Sequence, residues 1–286
     1  MKSLFFSVIT LVTLSLMAQN NEIEGTYYES SGNPEGGTTF IVMPNNTFVV
    51  AYFGGIQKGT WEATDNYYTF TYHSEPKFVL YGRKNPTLRD SVFINFSVEA
   101  NLKYAVRINA TKNKSFNPIF NDGANCFSYP YRYNQTEPVK TIDAYAPAIV
   151  EYYLGEPQGS SELYSYAIEH DYNEYLLTGL PSTYSNGGSF KAVFENNELI
   201  LGEGKSIKKS GEIKDISEED LLFITAHTEN EILPKVLEYG NEFFPYFDET
   251  NQSNLIPFTR IEAIRSIPKF PLQINKKSLF IVTCED

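Results

Sequence analysis

The stretch that decides the fold is Gly37–Tyr72, which reads GTTFIVMPNNTFVVAYFGGIQKGTWEATDNYYTFTY. Its short runs TTFIVMP, TFVVAYF, QKGTWEA and YYTFTY are rich in β-branched and aromatic residues. They are punctuated by Asn45-Asn46, Gly54-Gly55 and Thr64-Asp65-Asn66. Close, even punctuation of this kind is the mark of consecutive antiparallel hairpins. Asn tolerates positive φ almost as readily as Gly, so Asn45-Asn46 reads as a two-residue turn.

Further strands extend the pattern on both sides. Ile23–Glu29 (IEGTYYE) reads as the first strand, and Lys77–Arg83, Ser91–Val98 and Lys103–Ala110 as later ones. In the last of these Tyr104, Val106 and Ile108 share one face at period two. A mainly β chain of antiparallel meander, closing as a barrel or a sandwich, is expected. From Thr111 to Pro138 the texture shifts to Asn, Pro, Ser and scattered rings, suggesting a connecting or covering segment. A second β-rich block follows in Gly188–Phe194, Glu198–Leu201, Lys208–Lys214 and Leu221–Thr228.

That block echoes the first: an Asn-Asn pair, three apolar residues, a Gly bend and an Ile-x-Lys (Ile56 and Lys58; Ile207 and Lys209). Chance and internal duplication both account for the echo. Glu229–Tyr239 is the expected helix, because Ile232, Leu233, Val236 and Leu237 share a face, and Thr259–Ile267 is a candidate for a second. Leu272–Ile274 and Ser278–Cys284 read as a closing hairpin. The expected organisation is a leader over 1–18, an N-terminal antiparallel domain over 19–115, an aromatic-rich segment over 116–180 and a C-terminal β-rich block over 181–286. The N-terminal part and the last block can belong to one domain.

Lys2, the apolar run Leu4–Met17 and Ala18 before Gln19 have the form of a secretory signal peptide. The expected location is therefore periplasmic or extracellular, and no later run is long enough for a membrane helix. The 286 residues are 42% hydrophobic and 15% aromatic, enough for a sizeable core, and 21 Tyr with 21 Phe favour strands. A formal charge of −12 repels phosphate backbones, so no nucleic-acid partner is expected. The sequence also allows a protein partner. Cys126 and Cys284 are candidates for a disulfide in an oxidising compartment; two buried thiols are the alternative, since one pair imposes no framework.

Chemistry is sparse. His73, His170 and His227 each stand beside carboxylates, but no two have a spacing that shares a metal on one element, and no metal site is expected. Gly187-Gly188-Ser189 lacks a nucleophile elbow. No phosphate-cradling loop, cofactor motif or catalytic set is present. The 35 acidic residues guarantee some carboxylate pairs, so glycan hydrolysis through two of them is the catalytic alternative. The candidate ligand-binding feature is the alternating row Phe127, Tyr129, Tyr131, Tyr133, with Arg132 available for polar contacts. Exposed, the rings would stack on a sugar or another flat ligand; buried, they are a core face.

Ile23-Glu24-Gly25-Thr26-Tyr27-Tyr28, Phe40-Ile41-Val42, the Asn-Asn turn, Thr47-Phe48 and Lys58-Gly59-Thr60-Trp61 together resemble the opening of secreted bacterial lipocalin-like domains. In that family a Gly-x-Trp element enters the first strand, and a meander closes a small barrel around an apolar ligand. Here Gly25-Thr26-Tyr27 stands at that position with Tyr in place of Trp, and Gly59-Thr60-Trp61 follows three strands later. The resemblance covers residues 23–72. It implies a binding barrel or half-sandwich. The dense meander, the Tyr and Phe excess and the lack of a catalytic set lead to the expectation of an exported, non-catalytic protein that binds a small ligand or glycan through an aromatic-lined surface. An interaction module of the envelope and a secreted hydrolase using paired carboxylates are the alternatives.

Overall fold

The computed structural model describes residues 22–33, 36–53, 55–99, 102–112, 114–124, 131–150, 157–158, 160–180, 187–248 and 250–283. The chain divides into two compact units. One comprises the chain up to Glu75 with Ser182–Ile232, and the other Pro76–Pro181 with Leu233–Asp286. Residue 115 thus falls inside the second unit, and the 181–286 block is shared between the two. The expected leader lies outside the described residues.

The first unit opens with β1 (Gly25–Asn33), β2 (Gly36–Val42), β3 (Thr47–Tyr52), β4 (Gly55–Ala63) and β5 (Tyr68–Tyr72). The second then contributes β6 (Val79–Arg83), β7 (Val92–Ser97), β8 (Ala105–Ile108), β9 (Asn117–Pro118), β10 (Tyr131–Gln135), β11 (Thr141–Ala146), β12 (Ile149–Val150), β13 (Pro157–Gln158), β14 (Glu162–Ala167) and β15 (Glu174–Thr178). The chain returns to the first unit as β16 (Gly188–Glu195), β17 (Glu198–Leu201), β18 (Ser206–Gly211) and helix α1 (Glu218–Glu229). It ends in the second with β19 (Val236–Leu237), β20 (Phe258–Ile261) and β21 (Ala263–Ser266).

The first unit is a closed barrel in the order β1-β18-β17-β16-β5-β4-β3-β2, with every neighbouring pair antiparallel. Closure leaves no strand edge to template aggregation. The expected meander is therefore present, and the second β-rich block completes it. Asn196 and Asn197, at φ 52° and 62°, form a two-residue turn between Glu195 and Glu198. Both central residues at positive φ make this the type whose twist matches the flanking strands. At the first Asn pair only Asn46 has positive φ, 63°, and the loop is longer, closed by Met43 N–H donating to the Thr47 carbonyl at 2.9 Å.

The echo between the blocks stops at the Ile-x-Lys pairs. Ile56 packs in the outer-wall cluster and Lys58 turns the same way, whereas Ile207 packs into the lumen. The two pairs face opposite sides of the wall and are not structurally equivalent.

Leu221–Thr228, expected as a strand, is helical. Ser217 caps α1 by accepting from Asp220 N–H at 3.1 Å, and Glu218, Glu219 and Asp220 fill its first turn. The helix lays Ile224 and Leu221 on the outer barrel wall against Ile41, Met43 and Val49. Glu229–Tyr239, the expected helix, is not one: α1 ends at Glu229, and Val236–Leu237 pairs with β20 instead. Pro234 sits where a helix begun at Glu229 would need an N–H to donate.

In the second unit a six-stranded sheet, β10-β7-β15-β6-β20-β19, and a five-stranded sheet, β21-β14-β11-β8-β9, share one core. Phe78, Leu80, Ile94, Phe96 and Leu177 come to it from the first sheet and its borders. Tyr104, Val106, Ile142, Ala144, Tyr164 and Tyr166 come from the second. The anticipated alternation of Tyr104, Val106 and Ile108 faces this core. Thr259–Ile267 is not a helix but the strands β20 and β21, paired to β6 and β14. The anticipated closing hairpin does not form either. Residues 273–280 run beside 116–120 in parallel, with bridges Phe116 to Ile274 and Phe120 to Phe280. Phe280 gains the ring contacts of Phe96, Phe120 and Tyr131 there, which a solvent-facing hairpin would forgo.

Candidate functional site in the barrel lumen

Strand parity decides what the barrel encloses. Side chains alternate across the wall, so Tyr27 and Glu29 on β1, Thr38 and Phe40 on β2, and Phe48 and Val50 on β3 all turn inward. One end of the lumen is filled. Trp61 donates Nε1–H to the Met43 carbonyl at 3.1 Å and meets Tyr68 edge-on at 5.9 Å. Tyr27 donates its hydroxyl to the Ile23 carbonyl and packs against Phe40 and Phe194. Tyr27 and Trp61, the residues on which the lipocalin-like reading rests, thus join one buried cluster.

The middle of the lumen is a stack of rings. Phe70 lies flat on Phe190 at 4.9 Å, and Phe40 and Phe48 meet Phe70 at 5.2 and 5.3 Å. Phe48 needs a glycine opposite it: a Cβ on Gly59 would stand 2.4 Å from the Phe48 ring and 2.2 Å from the Thr71 carbonyl. The Gly59-Thr60-Trp61 stretch therefore supplies a gap for one ring and a plug for the far end.

Above the rings the lumen opens into a cup of about 280 Å³. Phe40, Val50, Tyr72 and Phe190 form its floor, and Leu199, Leu201 and Ile207 form one wall. Burial, with the neighbouring Tyr52 a lesser cause, pushes the Tyr72 phenol up, so it stays neutral. At the rim Glu29 and Lys205 form an ion pair at 2.9 Å, with side chains 39% and 54% exposed. An apolar cup with a polar rim can hold a greasy body and orient one polar end.

The other anticipated site residues fall elsewhere. Phe127, Tyr129, Cys126 and Cys284 lie outside the described residues. Tyr131 and Tyr133 sit on β10, half-buried on its core side, where Tyr131 meets Phe120 at 4.7 Å and Phe280 at 5.4 Å. Arg132, on the opposite face, donates to Asn95 Oδ1 at 3.1 Å and to the Tyr246 hydroxyl at 2.7 Å. Tyr246 in turn donates to Glu174, the buried partner of Arg83 at 2.8 Å. Burial and the Glu174 charge push the Tyr246 phenol up to about 12.

The histidines are also accounted for. His73 contacts Glu75 at 3.0 Å, and His170 lies against the Tyr172 ring. His227 is held below its ordinary pKa by burial and then by the charge of Lys58. Lys58 is itself buried on the outer wall, where its ammonium donates to the His227 carbonyl at 2.8 Å and to that of Asn230, closing the C-terminal end of α1. Among the described residues no group of three or more His, Cys, Asp or Glu is placed to hold a metal ion.

Sequence reasoning did not find the cup. Glu29 and Lys205 are far apart in the chain, and only barrel closure through β1 and β18 brings them together. The available signal was parity: Glu29 stands two residues beyond the inward-facing Tyr27. The fold and site define a class, an eight-stranded up-and-down barrel with one filled end and one open apolar cup. No protein-family model, curated protein or solved structure matches this chain.

Proposed function

We propose that this protein is an exported, non-catalytic carrier that binds one small apolar molecule in the barrel cup, as the lipocalin-like resemblance of residues 23–72 implies. The observation that carries the reading is the form of the lumen: rings fill one end and the middle, and the inward-facing side chains stop short of the other. Eight strands enclose a space that side chains either fill or leave open for one small ligand. At ~30 Å³ for each water-sized group, the cup takes on the order of nine such groups. Leu201→Trp fills the cup from its rim. The native protein is expected to bind a linear C8 alcohol saturably in calorimetry and to melt higher in its presence. Leu201→Trp is expected to melt as the unliganded protein does and to bind nothing. A native protein silent to apolar probes of this size, by calorimetry and by melting, sinks the reading.

A second reading, a protein-interaction module, draws on β21 at the edge of the five-stranded sheet. Ile264 is 75% exposed there, and Phe270 beyond it is 80% exposed. That reading predicts self-association in sedimentation that Ile264→Lys abolishes and cup ligands leave unchanged.

A further inference from the structure

Glu29 and Lys205 hold their places at the rim in different ways. Glu29 stands on β1 at a lumen-facing position, paired across the sheet with Thr38. Its side chain is the shorter of the two and starts from a paired strand residue, so its carboxylate reaches less far from the mouth than the Lys205 ammonium does. Lys205 lies between the Gly202–Gly204 turn and β18, and carries its charge on a long flexible stem. Of the two, Lys205 is the partner that can swing into water at small cost, and water solvates its ammonium well. A carboxylate entering on an apolar body would have to displace Glu29 and then remain beside it as a like charge. An ammonium entering the same way needs only to take the place of Lys205. The formal charge of −12 favours the approach of cations over anions.

We infer that the cup's ligand is an apolar amine, its body on the rings of Phe40 and Phe190 and its ammonium on Glu29, with Lys205 as a tethered stand-in that the ligand displaces. This rests on the reading of the cup as a binding site and adds the charge of what it takes. A tethered competitor lowers affinity by the fraction of time it occupies the site.

The test compares three probes with one body, octylamine, octanol and octanoate, by calorimetry at low ionic strength. Octylamine is expected to bind more tightly than octanol, and octanoate more weakly than either. The octylamine gain should be less than the about fivefold of one partly exposed ion pair, because the Lys205 pair breaks as the new one forms. Glu29→Gln should abolish the octylamine advantage, so that in this variant octylamine binds no better than octanol. Lys205→Met should widen the octylamine advantage over octanol, because the tethered competitor is gone. The octylamine advantage should shrink as salt rises. If octanol binds while octylamine binds no better, or octanoate binds best, the charge assignment is overturned and the apolar cup stands. If octylamine is preferred but Glu29→Gln keeps the preference, Glu29 is not its partner and the assignment is again overturned. If none of the three binds, the inference falls together with the reading beneath it. Thermal melts of both variants, matched to the native protein, exclude misfolding as the cause.

Discussion

The interiors of the two units solve burial by different means. The barrel lumen is held by rings, and the Glu29–Lys205 ion pair stands at its mouth, in reach of water. The second unit places charge inside. Arg83 and Glu174 are almost wholly buried at 2.8 Å, with Asn85 at 2.7 Å and Asn95 at 3.3 Å donating to the same carboxylate. The Arg83 guanidinium also lies over the Phe258 ring at 4.2 Å and donates to the Ile256 carbonyl. Glu162 is buried in the same unit, between Tyr164, Lys77 and Arg265. Apolar packing tolerates small losses one at a time, whereas a buried charge that loses its partner remains in the interior unpaired. The second unit should therefore be the more brittle of the two and the more sensitive to pH.

The sharpest way to break that contrast is Glu174→Ala. It leaves Arg83 charged, buried and unpaired, and is expected to cost about 3–5 kcal/mol. Native-state hydrogen exchange should show the loss in peptides from β6, β7 and β15, with the barrel strands little changed. Replacing both partners, Arg83→Met with Glu174→Leu, should recover part of it, because no charge is then stranded. If the single change costs less than the double, the network is not what holds this core.

Phe48→Ala is the matching change in the barrel. It removes a fully buried ring that touches Phe40, Phe70, Tyr72 and Phe190. A loss of about 3 kcal/mol is expected from transfer and cavity together. Exchange should accelerate in β2–β5 and leave β6 and β7 as they were. A loss well below 1 kcal/mol would mean that the rings collapse into the gap, and the lumen would then be looser than its packing indicates.

The pH contrast comes next in size. Burial by itself raises the Glu162 pKa, but the Tyr164 hydroxyl, Lys77 and Arg265 outweigh it and hold the carboxyl below the usual range. A carboxylate whose folded pKa is depressed contributes stability that is present above its unfolded pKa and lost as pH falls through the folded one. Acid should accordingly weaken the second unit through Glu162, and Glu162→Gln should flatten that dependence below pH 5 while lowering stability at pH 7. Urea midpoints across pH 3–7 test this. An unchanged acid slope in Glu162→Gln would remove Glu162 from the account.

The same contrast explains what could be read from the sequence. Hairpins were legible because each depends on neighbours in the chain: alternation gives the faces of β2 to β5, and the Asn and Gly pairs give their ends. The division into units was not legible, since Pro76–Pro181 is as rich in strands as the segments on either side of it. Nor was the C-terminal chain beside residues 116–120, a pairing that no local pattern encodes. Thr259–Ile267 has helical and strand spacing alike, and only pairing with β6 and β14 selects the strand. The cup needed strands from both ends of the barrel sequence, so its residues could be assigned to a face only after closure was known.

Helix α1 carries no periodic signal in its sequence. Its apolar residues do not form one stripe: Ile224 is buried and Leu221 half-buried, while Leu222 and Phe223 are exposed. Periodicity therefore pointed to the wrong segment, toward Ile232–Leu237. The legible signal was the start, Ser217-Glu218-Glu219-Asp220, where a hydroxyl precedes three acids at the positive end of the helix. If the helix owes its place to that start, Ser217→Ala should cost about 1 kcal/mol and raise exchange across Glu218–Ile224 alone. Ser217→Asp should retain most of the stability, since its carboxylate can accept the Asp220 N–H. If instead Ser217→Ala is silent and Ile224→Ala releases the helix, then contact with Ile41, Met43 and Val49 on the barrel wall orders the segment. In that case no reading of local sequence could have found it.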